Sequence, residues 1–334
     1  FENSWTGYFS YVSVKSISQG NDKIYAAAEN AIFTYDLSTQ EIETVSTING
    51  LSGKEITTAY YSESFGLYII GYKNGLIEIV IDGDDNILKV VDILEKLTIP
   101  PDSKQINHFY EFNSKLYIST GYGISVYDLE RLEFGDTYFI GDNNTQIPVE
   151  KVTIFNDFIY AACNGGNGIR KGALTNPNLI DSSQWQTITS GSYVSIETVD
   201  NRLYGLRTNR NLIEFINDAL TPVFNFGVLP LDSEAVDGQL LYTTPDSVFI
   251  FNSAASLTAQ INQTIEYDTN FSAAISLNSE IYIATSSFGV LQTNINDLVT
   301  FNEIRPDGPL RNNGFKIQAA SPAPSAEPAP TRVL

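Results

Sequence analysis

The sequence is poor in the residues that carry most metal, redox and acid–base chemistry. Its 334 residues include one cysteine, Cys163, one histidine, His108, and no methionine. A single cysteine cannot form an internal disulfide and has no second thiol with which to share a zinc ion. The sequence therefore excludes a disulfide framework and a cysteine zinc site, and we expect Cys163 to be a small buried side chain in a strand.

Basic residues and long apolar runs are also scarce. The chain carries 19 lysines and arginines against 39 aspartates and glutamates, a net charge of −20, without a basic cluster. Such a surface repels a phosphate backbone, so nucleic acid is not expected as a partner. No apolar run reaches the roughly 20 residues that cross a bilayer, and the chain starts at Phe1 without a signal-peptide pattern. We expect an exported protein from which a secretion signal has been removed.

The sequence is rich in one repeated element, an apolar residue followed by tyrosine. This pair recurs seven times at spacings of 38 to 49 residues. A period near 40 residues in β-rich surroundings is typical of a four-stranded propeller blade rather than of a helical solenoid. The pairs are Ile24-Tyr25, Leu67-Tyr68, Leu116-Tyr117, Ile159-Tyr160, Leu203-Tyr204, Leu241-Tyr242 and Ile281-Tyr282.

Turn signals divide each repeat into four strands, A to D. A turn such as Asn21-Asp22 precedes most of the pairs, and a second turn such as Asn74-Gly75 follows, because Asn and Gly supply the positive φ of tight hairpins. Third segments such as Val248–Asn252 are β-branched and aromatic, whereas fourth segments such as Glu41–Ser46 and Trp185–Thr189 are more polar, as suits an outer edge. The sequence predicts an all-β protein, a seven-bladed β-propeller with four antiparallel strands per blade.

The propeller is expected to occupy residues 1–318. Because no strand is left over for exchange, we expect the ring to close by packing of blade seven against blade one. Residues 314–318 look like the first strand of a further unit, and residues 319–334 are a Pro/Ala-rich tail that we expect to be disordered or added to the natural sequence. The predicted inner strands are Val14–Ser18, Ile56–Tyr61, Ile106–Phe112, Val152–Phe155, Val194–Val199, Glu234–Asp237 and Ala273–Leu277.

No motif for catalysis accompanies the repeat. His108 lies in a predicted inner strand without a Gly-x-Ser-x-Gly elbow or a second histidine, so we interpret it as a channel-lining or blade-packing residue with a local hydrogen-bond partner. The carboxylates of residues 82–86 lack EF-hand spacing and are interpreted as a solvated turn rather than a calcium site. Among 39 acidic residues, the sequence cannot select a pair for glycoside hydrolysis. We predict a non-enzymatic protein with no metal or cofactor.

Binding is expected on the loops of one propeller face. The turns between strands B and C carry basic and aromatic side chains that could hydrogen-bond or stack with a polar ligand or partner; the alternative is that these are scattered surface residues. Loops at Thr47–Lys54, Ile99–Asp102 and Gly141–Asn144 are further candidates. The predicted ligand-binding residues are Lys73, Tyr122, Arg207, Arg210 and Phe288.

Four segments resemble the N-terminal propeller of PorZ. They are Thr47–Gly53, Ile70–Ile79, Tyr117–Leu129 and Arg305–Leu310. Their Asn-Gly-Leu-Ser and Gly-Ile/Leu elements are shared with the broader two-component-regulator propeller repeats, but their order and context along Trp5–Phe315 favour PorZ.

The resemblance implies a component of the type IX secretion system of Bacteroidetes, in which PorZ-like proteins carry two propellers and a sorting domain. It implies protein partners, namely the sortase PorU with PorV and PorQ, and transfer of anionic lipopolysaccharide to the sortase by the full-length protein. This chain would then be an exported binding or scaffold propeller at the periplasm or outer-membrane surface. A net charge of −20 argues against this propeller alone gripping a phosphorylated glycolipid.

Two other functions stay open. One is the glycan-sensing periplasmic propeller of a hybrid two-component regulator, which uses similar repeats. The other is a carbohydrate-active propeller enzyme, which a convergent carboxylate pair in the central pocket would distinguish.

Overall fold

The computed structural model describes residues 9–84, 86–216 and 219–311. These residues form 28 strands in seven four-stranded antiparallel sheets, each built from four consecutive strands. The predicted seven-bladed β-propeller is therefore confirmed. The strands are β1 Val14–Gly20, β2 Lys23–Ala28, β3 Ile32–Asp36, β4 Ile42–Val45, β5 Ile56–Ser62, β6 Leu67–Tyr72, β7 Ile77–Ile81, β8 Ile87–Val90, β9 Ile106–Phe112, β10 Lys115–Thr120, β11 Gly123–Asp128, β12 Glu133–Tyr138, β13 Val149–Phe155, β14 Phe158–Cys163, β15 Gly168–Ala173, β16 Trp185–Thr189, β17 Tyr193–Val199, β18 Arg202–Arg207, β19 Asn211–Ile216, β20 Ala219–Asn225, β21 Asp232–Val236, β22 Gln239–Thr243, β23 Ser247–Asn252, β24 Leu257–Asn262, β25 Phe271–Leu277, β26 Glu280–Thr285, β27 Val290–Asn294 and β28 Asp297–Ile304.

Blade 1 comprises β1–β4, and each following blade takes the next four strands. The loops contain short 3-10 helices at Thr47–Asn49, Pro101–Ser103, Asp142–Asn144 and Ser182–Gln184. Since the strands of a blade alternate in direction, the B–C turns and the D–A connections between blades lie on one face, here called the B–C face. The described residues include no helix long and apolar enough to cross a membrane.

The core lies between the blades. Each of seven buried clusters joins the facing sheets of two neighbouring blades. The repeated tyrosines take part because tyrosine combines a large apolar ring with a polar tip. Tyr25 of blade 1, for example, stacks on Tyr61 of blade 2 with ring centroids 4.4 Å apart. The seven tyrosines of the repeat are all buried, so the sequence signal that defined the blades also marks the inter-blade packing.

A β-bulge recurs near the start of the inner strand in six of the seven described blades. At this point one extra residue opposes the B strand, which turns the extra side chain away from the regular pleat. Blade 6 lacks this register shift. The extra residues are Lys15, Thr57, Asn107, Glu150, Val194 and Ser272.

Three bulge side chains tie their blade to the next one. Each donates a hydrogen bond to the backbone carbonyl of the residue that precedes the bulge in the following blade. We call this contact the bulge latch. The latches are Thr57 Oγ1 to Ile106 O at 2.7 Å, Asn107 Nδ2 to Val149 O at 2.8 Å and Ser272 Oγ to Val14 O at 2.7 Å.

Blade 7 closes on blade 1 by packing, as predicted. The Ser272 latch joins the two blades, and the Gly289 amide donates to Val12 O at 2.8 Å. Among the described residues no strand is exchanged between the two sheets. The further strand predicted at residues 314–318 and the tail at 319–334 lie outside the described residues.

Four inner strands start earlier than predicted, β17 by one residue at Tyr193 and β25 by two residues at Phe271. β13 begins at Val149 rather than Val152, and β21 covers Asp232–Val236 rather than Glu234–Asp237. The residues that the prediction left out include the charged Glu150, Lys151 and Asp232, and charged residues are depleted in ordinary strands. An inner strand tolerates them because its free edge borders the central channel.

Candidate functional site

The five predicted binding residues lie on four different blades and do not form one site. Lys73 lies in the B–C turn of blade 2, Tyr122 in that of blade 3, and Phe288 in that of blade 7. Arg207 and Arg210 share the B–C turn of blade 5, where the Arg210 amide donates to Arg207 O at 2.8 Å. The structure therefore places them on the expected face but brings together only the two arginines.

Tyr122 is the one of the five that the structure removes from the surface. Its ring is fully buried, and its hydroxyl lies 2.6 Å from Ser125 Oγ. The expectation that it presents a ring to a ligand is wrong, because the turn folds this side chain into the core between blades 2 and 3.

The two arginines are engaged with their own blade. Arg207 lies over the ring of Tyr193, 5.1 Å from its centroid, and its Nε donates to the Tyr193 hydroxyl at 2.7 Å. Arg210 Nη1 donates to Gly227 O at 2.6 Å. Both contacts fix guanidinium groups that would otherwise be free to meet a partner.

Phe288 is half-buried, and its ring lies edge-on to Tyr267 at 5.1 Å. Lys73 is exposed and pairs with Glu55 at 2.9 Å. It borders a 470 Å³ depression between the loops of blades 1 to 3, together with Lys54, Pro101 and Gln105. This depression joins Lys73 to both candidate loops, Thr47–Lys54 and Ile99–Asp102.

The central channel is lined by several charged side chains. It has two chambers, a larger one of 350 Å³ that reaches the A–B turns and a smaller one of 170 Å³ that reaches the D–A connections. Thr57, Asn107, His108 and Asp232 line both chambers and form the waist between them.

A buried lysine stands beside the waist. Lys151 Nζ lies 2.5 Å from Glu197 Oε1, donates to Ser233 O at 2.6 Å and lies 4.0 Å from Glu234 Oε2. Glu197 in turn accepts from Ser233 Oγ at 2.6 Å. Burial alone would lower the pKa of Lys151, but the carboxylates of Glu197, Glu234 and Asp232 outweigh it and raise this pKa, so the ammonium stays charged.

Two of the carboxylates that line the channel, Asp232 and Glu234, hold protons more tightly than usual. Burial raises the pKa of Asp232 to about 6 and that of Glu234 to about 7, although the charge of Lys151 opposes both shifts. The side chain of Glu234 is 43% accessible and lines the larger chamber. The structure thus brings two perturbed carboxylates to one enclosed space, which is a common property of functional sites.

His108 lines the channel, as the sequence predicted, but its expected hydrogen-bond partner is not found. Its Nδ1 is buried and makes no hydrogen bond with the described residues. Burial and the nearby charge of Lys151 hold its pKa well below the usual range. The imidazole is therefore neutral at pH 7 and leaves one ring nitrogen as an acceptor.

The other sequence predictions concern residues away from the channel. Cys163 is fully buried at the end of β14, as expected. Asp82, Asp84 and Asn86 form the turn between β7 and β8, with the Asn86 amide donating to Asp84 Oδ1 at 2.9 Å; Asp85 lies outside the described residues.

Sequence reasoning missed Lys151, Asp232 and Glu234, which line the channel, and Glu197, which pairs with Lys151. Glu197 and Glu234 did fall within predicted inner strands, Val194–Val199 and Glu234–Asp237. A charged residue inside a strand predicted to line the channel was the available signal, since charge is rarely buried unless it is paired or functional.

Six of the thirteen exposed large apolar side chains of the described residues follow the fourth strand of a blade, on the B–C face. Exposed apolar surface can mark a protein contact. These side chains lie after blades 5, 6, 7, 1 and 2, which are consecutive around the ring. The described connections after blades 3 and 4 carry no exposed large apolar side chain. The residues are Ile48, Leu97, Val228, Leu231, Ile265 and Leu310.

Comparison with known proteins supports the resemblance found in the sequence. The family model of the N-terminal β-propeller domain of PorZ, a type IX secretion system protein, matches residues 24–186. No curated protein matches the chain significantly.

Solved structures reproduce the fold. PorZ from Porphyromonas gingivalis, described as an essential surface component of the type IX secretion system, superposes with a TM-score of 0.77 at 18% identity over 93% of this chain. This chain covers 41% of the PorZ chain, so it corresponds to less than half of that protein.

Propellers of other functions are also similar. The extracellular domain of the hybrid two-component system BT3049 from B. thetaiotaomicron has a TM-score of 0.64 at 13% identity, covering 84% of this chain and 40% of that one. BamB from Moraxella catarrhalis has a TM-score of 0.56 at 12% identity, covering 84% of each chain. At such identities the structural likeness shows the fold alone.

Proposed function

Because residues 24–186 match the PorZ N-terminal propeller, we propose that this chain is the binding and scaffold propeller of a PorZ-like component of the type IX secretion system. It would act at the periplasmic or outer-membrane surface and support attachment of cargo by the sortase. The match to the family model is the observation that carries this proposal. The structural similarity to PorZ over 93% of the chain supports it.

The mechanism would be geometric. A closed ring buries the sheet faces by which neighbouring blades pack together, and it holds the loops on a rigid frame. The exposed apolar residues of the B–C face supply contact area of the kind that protein partners bury. We propose that PorU or another attachment-complex protein docks on this face and that the full-length protein contacts lipopolysaccharide elsewhere.

Affinity capture tests this proposal. The purified domain would be incubated with solubilised outer membranes of its native organism, and bound proteins and glycolipids would be identified together. Enrichment of PorU or other type IX components supports the scaffold function. Capture of a glycan alone, or of nothing, contradicts it for this domain.

Two surface variants and a control variant locate the docking face. Leu97→Glu and Ile265→Glu alter exposed residues of the B–C face, whereas Val299→Glu alters an exposed residue of the outer strand β28. We expect the first two to reduce capture and the third to leave it unchanged. All three add one negative charge at an exposed position, so equal losses would show that charge rather than the face is responsible.

The similarity to the BT3049 extracellular domain favours a second candidate, a glycan-sensing propeller. Binding of soluble glycans by the isolated domain, without capture of secretion-system proteins, would support it.

A carbohydrate-active propeller enzyme is expected to have a convergent pair of carboxylates in the central pocket. Asp232 and Glu234 both line the larger chamber, but the charge of the neighbouring Lys151 opposes the rise in the pKa of each. We propose a non-catalytic channel, because the family model that matches is that of a secretion-system propeller. Release of reducing ends from glycans by the parent but not by Glu234→Gln would refute this.

A further inference from the structure

A buried lysine joins three consecutive blades beside the waist of the channel. Lys151 of blade 4 lies 2.5 Å from Glu197 Oε1 of blade 5 and donates to Ser233 O of blade 6 at 2.6 Å. Ser233 Oγ in turn donates to Glu197 at 2.6 Å. The two charged side chains are 7% and 5% exposed, so solvent screens their contact poorly. We call this arrangement the Lys151 bridge.

The Lys151 bridge holds the start of β21, directly after the connection from blade 5 to blade 6. This connection, residues 226–231, lies on the B–C face and carries two exposed apolar residues, Val228 and Leu231. The Leu231 amide donates to Thr243 O of blade 6 at 2.7 Å. Because Leu231 is two residues from Ser233, a change in the Lys151 bridge acts directly on the end of the connection.

The charges at the bridge do not balance when every carboxylate is ionised. Lys151 interacts electrostatically with Glu197, Glu234 and Asp232, and Glu234 Oε2 lies 4.0 Å from Lys151 Nζ. Three carboxylates in a confined space then share one buried ammonium, which disfavours the ionisation of some of them. Burial, which the charge of Lys151 opposes, raises the pKa of Asp232 to about 6 and that of Glu234 to about 7. Two negative charges of blade 6 therefore appear as pH rises through neutrality.

The remaining titratable groups around Glu234 do not compensate for these charges. β25, which packs against β21, carries no titratable side chain. β22 contributes Tyr242, whose pKa burial and then the charge of Glu197 hold well above the usual value. The other titratable groups that line the larger chamber are Lys15, Tyr60, Glu63, His108 and Glu111. No group gains positive charge as pH rises, so the added negative charges stay uncompensated.

We propose that the Lys151 bridge is a pH-sensitive switch for the connection between blades 5 and 6. When Asp232 and Glu234 are protonated, Lys151 and Glu197 form a balanced pair that holds β21 against blade 5. When both ionise, two negative charges of blade 6 face the carboxylate of Glu197, and their repulsion loosens this contact. The stabilisation is therefore complete at about pH 4 and is lost as pH rises through about 7. Any effect on docking rests on the proposed function, whereas the loosening itself does not.

Hydrogen-exchange mass spectrometry of the purified protein measures the loosening without a partner. Exchange at pH 5 and pH 8 would be converted into protection factors, which removes the intrinsic effect of pH on exchange. We expect the protection of the Leu231 amide to fall at least about fivefold between pH 5 and pH 8. The Leu51 amide, which donates to Ser46 O at 3.2 Å in the connection between blades 1 and 2, should keep its protection.

Two double variants identify the groups responsible. Asp232→Asn/Glu234→Gln removes both titrating charges of the bridge and keeps side chains of similar size, so Leu231 should be equally protected at pH 5 and pH 8. Glu266→Gln/Asp268→Asn removes the same number of charges from exposed positions in the connection between blades 6 and 7 and should retain the fall seen in the parent.

Three results would overturn the proposal. They are an unchanged protection of Leu231 in the parent, an equal fall at Leu51, and a fall that persists in Asp232→Asn/Glu234→Gln. Because no partner enters the measurement, a failure of docking on the B–C face leaves these outcomes unaffected.

Discussion

Lys151→Met removes the cation beside the channel waist while keeping an unbranched apolar side chain of similar length. In the parent, the ammonium lies 2.5 Å from Glu197 Oε1 and 2.6 Å from Ser233 O, and both charged side chains are less than 8% exposed. The variant therefore leaves a buried carboxylate without its counter-charge. Breaking a buried pair by removing one partner costs about 3–5 kcal/mol of unfolding free energy.

An exposed ion pair provides the matched control. Lys23 Nζ lies 3.3 Å from Glu43 Oε2, and the Glu43 side chain is 73% exposed. Solvent screens such a pair, so Lys23→Met should cost less than about 1 kcal/mol. The double variant Lys151→Met/Glu197→Leu removes both buried charges and should recover a large part of the loss, because no uncompensated charge remains.

The measurement is urea unfolding at pH 7, followed by the fluorescence of Trp185, which is buried in the same blade as Lys151. Since a proton can neutralise a lone buried carboxylate, the loss for Lys151→Met should be smaller at pH 5 than at pH 7. The reasoning is refuted if Lys151→Met costs no more than Lys23→Met. It is also refuted if the double variant is less stable than Lys151→Met.

Three further predictions concern the backbone, the thiol and pH. Gly168 has φ +75°, and a Cβ added there would lie 1.6 Å from a carbonyl oxygen, whereas Gly166, at φ +86°, has open space around it. Gly168→Ala should therefore lower the free energy of urea unfolding by at least about 2 kcal/mol more than Gly166→Ala does. Cys163 is buried and burial raises the pKa of its thiol to about 12, so mass spectrometry should find it unalkylated by iodoacetamide at pH 8 until urea unfolds the chain. Burial raises the pKa of Asp232 to about 6 and that of Glu234 to about 7. The folded state therefore binds these protons more tightly than the unfolded state, and the stability that they contribute is lost as pH rises from about 4 through 7. The unfolding free energy of Glu234→Gln should accordingly rise relative to that of the parent between pH 5 and pH 8, and a constant difference would contradict this.

The blade count and the strand order could be predicted from the sequence because they depend on local signals. The apolar–tyrosine pair marks each B strand, and the turns on either side mark its ends. The positive φ values of Asn21, Asp22 and Gly75 show why those residues stand there. Such signals do not depend on which blades become neighbours.

The site depends on contacts between blades, which the sequence pattern does not encode. Lys151, Glu197 and Glu234 lie in blades 4, 5 and 6, and the packing of these consecutive blades around the channel brings them together. Tyr122 illustrates the same limit, because a turn residue was taken as exposed but its ring packs into the neighbouring blade. Local exposure was predictable for Lys73, whereas burial across a blade interface was not.

Ring closure follows from the same contact that joins consecutive blades. The Ser272 latch from blade 7 to blade 1 has the donor position, the acceptor position and the 2.7 Å length of the Thr57 latch from blade 2 to blade 3. The last interface is therefore built like an internal one, although its partners are 258 residues apart in sequence. A strand exchange is not needed, because the bulges of blades 2, 3 and 7 each supply a donor aimed at the next blade. The bulge residues Lys15, Thr57 and Asn107 line the larger chamber, so the bulges contribute polar side chains to the channel wall as well as contacts between blades.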